Sequence, residues 1–330
     1  IFKVVADPTI NVGKVTVTIN GMGEKFTDAT EISVRPPSTL QKSTGSGSIT
    51  GGGTQNVNIG LSDFIPGSTN YSLIVSRSPA LELGEQLKYL IQYPYGFTEQ
   101  TVSSAFPQIY YGDLSDLMMQ NKQQNKLNAN SNIMEAIRKI KMRQLYNGAL
   151  TLWDGEGKED WWATIYSAHF LLEAKKAGFD VDNSLLETML NYINNRLKNK
   201  ETITYYYNRD QNKKIAPKEV AYGLYVLALA NRTNVPAMNY YKANTSMLAL
   251  DSRYLLAAAY ATAGDKKSFT AMLPASFSGE ESVAQTGGSY YSDVRDEAIA
   301  LNALIDTDPG NAQIGTMVKH VAKKKKNRRW

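Results

Sequence analysis

Residues 163–178 read ATIYSAHFLLEAKKAG. Apolar side chains recur there at the three- and four-residue spacing of a helical face. Two lysines close the segment, and Gly178 follows as a stop, because glycine takes a left-handed backbone without steric cost. The stretch reads as an amphipathic helix with a defined end. Its neighbours use the same grammar. Leu185–Leu197 is preceded by Asp182, Asn183 and Ser184, residues whose side chains cap a helix start. Lys218–Ala230, Ser252–Ala263 (closed by Gly264) and Val294–Leu304 continue the series. Upstream, Ile133, Ile137, Ile140, Met142 and Leu145 mark one helix, and Leu81, Leu83, Leu87, Leu90 and Ile91 another. The polar connections are short. Such spacing predicts stacked αα-hairpins.

Before residue 80 the period changes to two. Val15, Val17 and Ile19 alternate with threonines up to Asn20-Gly21, a hairpin-turn pair. Glu31–Val34 alternates again and stops at Pro36-Pro37; Val57-Asn58-Ile59 and Tyr71–Val75 repeat the habit. Ser43–Gly53 (STGSGSITGGG) has too few apolar groups to pack. The expected fold is mainly α: an α/α toroid of helical hairpins over residues 80–330, preceded by a β-sandwich segment over residues 1–79. That segment is short for a complete sandwich, which suits a β domain interrupted by the helical region. Should the ring need a further hairpin after Trp330, it lies outside this chain.

Composition excludes several classes. The 330 residues contain no cysteine, so disulfides, zinc thiolates and thiol nucleophiles are out. No run of about eighteen apolar residues marks a transmembrane helix. The chain opens Ile-Phe-Lys, with neither Met nor a signal-peptide pattern, and reads as a processed chain or a fragment. Net charge is +5, much of it in Lys323–Arg329 (KKKKNRR). With no groove-reading motif beside it, this run reads as a solvated helix end rather than a nucleic-acid patch. No Walker, dinucleotide or metal-ligand pattern is present, and neither a cofactor nor a metal is expected.

Two constellations could carry chemistry. Trp153–Trp162 (WDGEGKEDWW) gathers Asp154, Glu156, Glu159 and Asp160 among tryptophans. Some α/α toroids are glycosidases, which use two carboxylates and stack sugars on aromatic rings. The competing reading is a turn-rich loop anchored by its tryptophans. His169 sits alone on an apolar helix and reads as a core or rim residue. Tyr205-Tyr206-Tyr207 and Tyr290-Tyr291 could meet a partner or line the inner end of the toroid. Gly287-Gly288 is too short for a phosphate loop.

The second constellation is Tyr93–Gln100, YPYGFTEQ. Tyr93-Pro94-Tyr95-Gly96, two positions, then Glu99-Gln100 resemble the thioester segment of the alpha-2-macroglobulin family, Pro-Tyr-Gly-Cys-Gly-Glu-Gln. Other stretches resemble the bacterial branch in order: Asp63–Gly67 (DFIPG), Leu87–Leu90, Ala105-Phe106-Pro107, Gly148–Trp162, Tyr166–Gly178 and Ser292–Leu301 (SDVRDEAIAL). The resemblance implies a toroidal thioester domain that interrupts a β domain of the same chain. It implies a protease trap, not an enzyme, in the periplasm or cell envelope and often anchored by lipid. Proteases and neighbouring β domains would be its partners. Phe97, however, stands where the family has cysteine. The acyl bond needs that sulfur, because thiolate is a good leaving group and an amide is not. Gln100 is then an ordinary amide, and YPYGFTEQ a former reactive site kept as structure. On that reading Tyr93, Tyr95 and Phe97 fill an apolar recess between domains, Thr98 N-caps the following helix, and Glu99 and Gln100 lie in its first turn. The alternatives are an α/α-toroid carbohydrate-active enzyme and a cell-envelope scaffold or binding protein.

Overall fold

A computed structural model describes residues 11–35, 52–62, 93–110, 122–155, 157–208, 211–278 and 292–324, with a few shorter pieces before residue 76. The helix expected around Leu81–Ile91, most of Ser43–Gly53, Gly287-Gly288, Tyr290-Tyr291 and residues 325–329 of the basic run lie outside the described residues. The chain divides into two compact units, Ile1–Val75 and Ser76–Trp330.

In the first unit, β1 (Asn11–Gly21) pairs antiparallel with β2 (Glu24–Val34). The turn is Met22-Gly23, at φ +54° and +81°, two residues beyond the Asn20-Gly21 pair read from the sequence. Both turn residues are left-handed, which matches the twist of the flanking strands. The shift lengthens both strands and sets Ile19 opposite Phe26. Val57 and Ile59, read as strand, carry no ladder among the described residues. Alternation marks a face, but a strand exists only through the partner that takes its N–H and C=O groups.

The second unit is built on helices. In chain order they are α1 (Thr98–Ile109), α2 (Lys122–Met142), α3 (Trp161–Lys176), α4 (Asn183–Arg196), α5 (Lys218–Leu229), α6 (Val235–Ala243), α7 (Leu250–Thr262), α8 (Lys266–Met272), α9 (Asp293–Thr307) and α10 (Gln313–Lys323). Among the described residues two short hairpins interrupt them: β3–β4 (Leu150–Thr151 with Glu159–Asp160) and β5–β6 (Ile203–Asn208 with Gln211–Ile215). Helices α1, α3, α5, α7 and α9 pack side by side in that order. The helices between them in sequence back onto this row: α2 on α1, α4 on α3 and α5, α8 on α7, and α10 on α9. Glu99 of α1 lies within electrostatic reach of Arg295 of α9, so the row curves back towards its start. This is the α/α toroid.

The sequence read α3 as amphipathic; the structure makes it an inner helix. Ile165, Ala168, Phe170, Leu171 and Ala174 are buried, and so are Thr164, Ser167 and His169 on the other faces. An inner helix has neighbours on nearly every side, so its polar residues must be small or hydrogen-bonded. In α5, every residue from Lys218 to Ala228 is buried. The outer helix α4 does obey one-sided patterning, with Leu185, Leu186, Met189, Leu190 and Ile193 facing inward. Asp182 caps its start by accepting from the Ser184 N–H at 2.9 Å, as the sequence implied.

Inner helices share a direction, so their N-termini meet at one end. Glu99, Asp160, Lys218, Glu219, Asp251, Arg295 and Asp296 all lie just before or within the first turns of those helices. Carboxylates belong there, where helix dipoles present partial positive charge.

Candidate functional site

The loop Tyr93–Phe97 enters α1 at that same end. Gly96 sits at φ +89°, a conformation that disfavours a Cβ, and Phe97 is the last residue before the helix. The expected N-cap by Thr98 is not what forms. Thr98 is the first helical residue and fully buried, and its hydroxyl donates to the Thr151 carbonyl at 2.6 Å. Its backbone N–H donates to the Leu152 carbonyl at 3.0 Å. The Leu152 carbonyl, just past β3, therefore satisfies the orphan donor that a cap would serve. Glu99 occupies the first turn as expected, half-buried, and burial raises its pKa.

Arg143, at the end of α2, organises the loop. Its side chain is 4% exposed. Its guanidinium donates to the Gly96 carbonyl at 3.0 Å, to the hydroxyls of Thr98 and Thr101 at 3.4 and 3.3 Å, and to Asp154 Oδ1 at 2.7 Å. One fork of donors thus ties the loop, the first turn of α1 and the acidic loop together. Lys139, one turn earlier on α2, donates to the Pro94 carbonyl at 2.7 Å and lies 4.6 Å from the Tyr93 ring centroid. The Tyr93 hydroxyl donates to Glu135 at 2.7 Å, which raises its own pKa. The neighbouring Arg138 guanidinium holds Glu135 down to about 2.

The aromatic residues divide. Phe97 is half-buried against Trp153, with ring centroids 5.4 Å apart. Tyr93 and Tyr95 are 42% and 72% exposed, and Trp153 is 55% exposed. Pro94 is buried. Gln100 folds back over Gly96: a Cβ on Gly96 would stand 1.9 Å from Gln100 Oε1. The chain has no cysteine to take the Gln100 acyl carbon as a thioester. The loop offers amide, hydroxyl and aromatic surface, without a nucleophile activated by a base.

Each described carboxylate of the Trp153–Trp162 constellation has a structural task. Asp154 pairs with Arg143, which lowers its pKa. Glu159 pairs with Arg196 at 3.2 Å and accepts from Asn147 at 3.1 Å. Asp160 N-caps α3, accepting from the Ala163 N–H at 2.7 Å. Glu156 lies outside the described residues. A general acid needs a raised pKa and an open face towards a sugar, and Asp154 is shifted the other way. The tryptophans serve as anchors: Trp161 lies under the Arg196 guanidinium at 4.3 Å, and Trp162 under Arg295 at 4.8 Å. His169 is buried with Nδ1 2.9 Å from the Tyr222 hydroxyl, and burial pushes its pKa down to about 4. Among the described residues no group of three His, Asp or Glu could hold a metal, and no helix is long and apolar enough to cross a membrane.

The sequence did not single out Arg143, Lys139 or Glu135. A signal for Arg143 exists: it continues the buried stripe of Ile133, Ile137 and Ile140, where an arginine needs partners.

The fold defines a class, the α/α toroid of helical hairpins. Residues 70–267 match the A-macroglobulin TED domain, well over half of the chain. The chain belongs to the A-macroglobulin family. It is 28% identical over 241 residues to an alpha-2-macroglobulin of Xylella fastidiosa (strain Temecula1), covering 72% of this chain and 15% of that protein. It is 31% identical over 194 residues to the alpha-2-macroglobulin of Escherichia coli (strain K12), covering 55% and 12%. The structure of a Salmonella alpha-2-macroglobulin reacted with methylamine shares its fold at a TM-score of 0.62 and 22% identity, covering 98% of this chain and 22% of that one. The chain thus spans less than a sixth of the curated relatives.

Proposed function

We propose that this chain is the thioester-type region of an alpha-2-macroglobulin-like protease inhibitor that traps proteases without a covalent bond. In this reading residues 80–330 are the toroid, and residues 1–79 belong to a β domain that the toroid interrupts. A protease cleaves a bait segment elsewhere in the whole protein, and rearrangement encloses it. The protein works in the periplasm or cell envelope, attached by lipid through an N-terminus beyond this chain.

One observation carries the reading. Left-handed Gly96, Gln100 folded onto it and Arg143 clamping the whole support reading the loop as a former thioester segment. Yet position 97 is phenylalanine in a chain without cysteine. The amide of Gln100 has no sulfur to leave from. Exposed Tyr93 and Tyr95 supply apolar area for a neighbouring β domain of the same chain, on the order of 150–250 Å² for each ring fully covered. Engagement of Asp154, Glu159 and Asp160 in ion pairs and a cap argues against the carbohydrate-active alternative.

The test uses the whole protein. Incubation with methylamine is expected to add no mass and release no thiol. A complex with a protease is expected to come apart fully on a denaturing gel. A methylamine adduct at Gln100, or a band that survives denaturation, would overturn the reading.

A further inference from the structure

Three helices of the toroid meet in a buried cluster that the trapping reading does not use. Lys218 opens α5, Asp251 lies in the first turn of α7, and Asp296 in the first turn of α9. The Lys218 ammonium is in contact with Asp296 Oδ2 and stands 3.2 Å from Asp251 Oδ2. The three side chains are 5%, 5% and 8% exposed. Arg295 reaches the other oxygen of Asp296, Oδ1, at 3.4 Å. An amine, the carboxylate it touches and a second carboxylate on the same amine nitrogen are the parts of an amide-forming centre.

We propose that Lys218 and Asp296 condense into an intramolecular isopeptide bond that welds α5 to α9, with Asp251 moving the protons.

Burial lowers the Lys218 pKa, but its two carboxylates together outweigh burial and raise it, so Lys218 starts protonated. Burial raises the Asp251 pKa to about 6, so Asp251 can take the proton that the amine must lose. Asp251 passes that proton to Oδ2, so the Asp296 carboxyl is neutral when the neutral Nζ adds to its Cγ. Negative charge develops on Oδ1, beside the Arg295 guanidinium. Asp251 then carries the second proton of the attacking amine to Oδ2, which leaves as water. The Nζ–Cγ bond forms, the Cγ–Oδ2 bond breaks, one water departs, and Asp251 ends as it began. No oxidant or cofactor enters. The driving force is local. A buried ion pair costs desolvation of two charges, whereas an amide carries none, and the water released leaves a site with little solvent to reverse the step. The link joins positions 78 residues apart. It would keep the toroid closed while the rest of the molecule is cut and rearranged.

Peptide mapping of the full protein as made in cells decides the matter. Trypsin cannot cut after an acylated lysine. The expected product is residues 215–232, uncut at Lys218, joined to the peptide that starts at Asp296 and lighter than the two together by one water. Asp251→Asn keeps the Lys218–Asp296 pair and is expected to leave both peptides unlinked and Lys218 cleavable. Free peptides beginning at Glu219 and at Asp296 from the natural protein would overturn the proposal. Full linkage in Asp251→Asn would overturn the role given to Asp251.

Discussion

Arg143 shows how one side chain can hold a loop, a helix start and a neighbouring acidic loop together. Its guanidinium is buried and Asp154, its counter-ion, is exposed, so the two do not respond alike to mutation. Asp154→Ala leaves a buried cation with hydroxyl and carbonyl partners alone, at a cost of about 2–3 kcal/mol. Glu159→Ala removes a half-exposed ion pair and is expected to cost about 1 kcal/mol or less. Phe97→Ala loses only a half-buried ring tilted against Trp153, about 1–2 kcal/mol rather than the larger cost of a fully buried ring. Denaturant titrations of the three variants check this ranking. An Asp154 effect no larger than that of Glu159 would remove Arg143 from its organising place. The segment Tyr93–Gln100 was visible in the sequence, and so was the missing sulfur. The clamp was not, because Arg143 comes from another helix and binds mostly to backbone carbonyls and hydroxyls, which leave no pattern in sequence.

At the scale of elements, glycines divide by what stands opposite. Gly148 is at φ +90°, and a Cβ there would lie 2.1 Å from the Thr188 carbonyl of α4, an element with nowhere to move. Gly178 has a similar φ of +92° and open space around it. Gly148→Ala is expected to cost about 3 kcal/mol or more, combining backbone strain with a clash against main chain. Gly178→Ala carries the conformational penalty alone, about 1–2 kcal/mol. Thermal melts distinguish the two, and equal losses would refute the role given to Thr188. The sequence marked Gly178 as a helix stop and read Gly148 only as part of a family-like stretch. A local stop is legible from neighbours in sequence. A close approach of two chain segments is not.

For the whole molecule, two buried titratable groups act in opposite directions. His169 has its pKa lowered from 6.5 to about 4 by burial, so its contribution is complete above pH 6.5 and is lost as pH falls towards 4. Asp251 has its pKa raised from 3.8 to about 6 by burial, so ionisation weakens the fold as pH rises through that range, and acid restores it. Each shift is on the order of 3 kcal/mol across its window. Measured against the natural protein, the stability deficit of His169→Gln is expected to shrink between pH 7 and pH 4, while that of Asp251→Asn grows. Parallel profiles for the two variants would contradict the assignment.

The sequence by itself determined that this is a mainly helical chain of hairpins behind a β segment, and which family it resembles. Periods of two and of three to four report which faces are apolar, and Gly178, Gly264 and Asp182 report where helices stop and start. Absence of cysteine leaves YPYGFTEQ without a thiol from this chain, which is legible from the sequence alone. Tertiary structure decided the rest. It made α3 and α5 inner helices buried on more than one face, gave the Thr98 hydroxyl to the Thr151 carbonyl instead of to a cap, and committed Asp154, Glu159 and Asp160 to structural partners. It brought Lys218, Asp251 and Asp296 together from three helices. Local patterns follow from each residue's own backbone and near neighbours. These outcomes depend on contacts between residues tens of positions apart, which form only once the toroid closes around them.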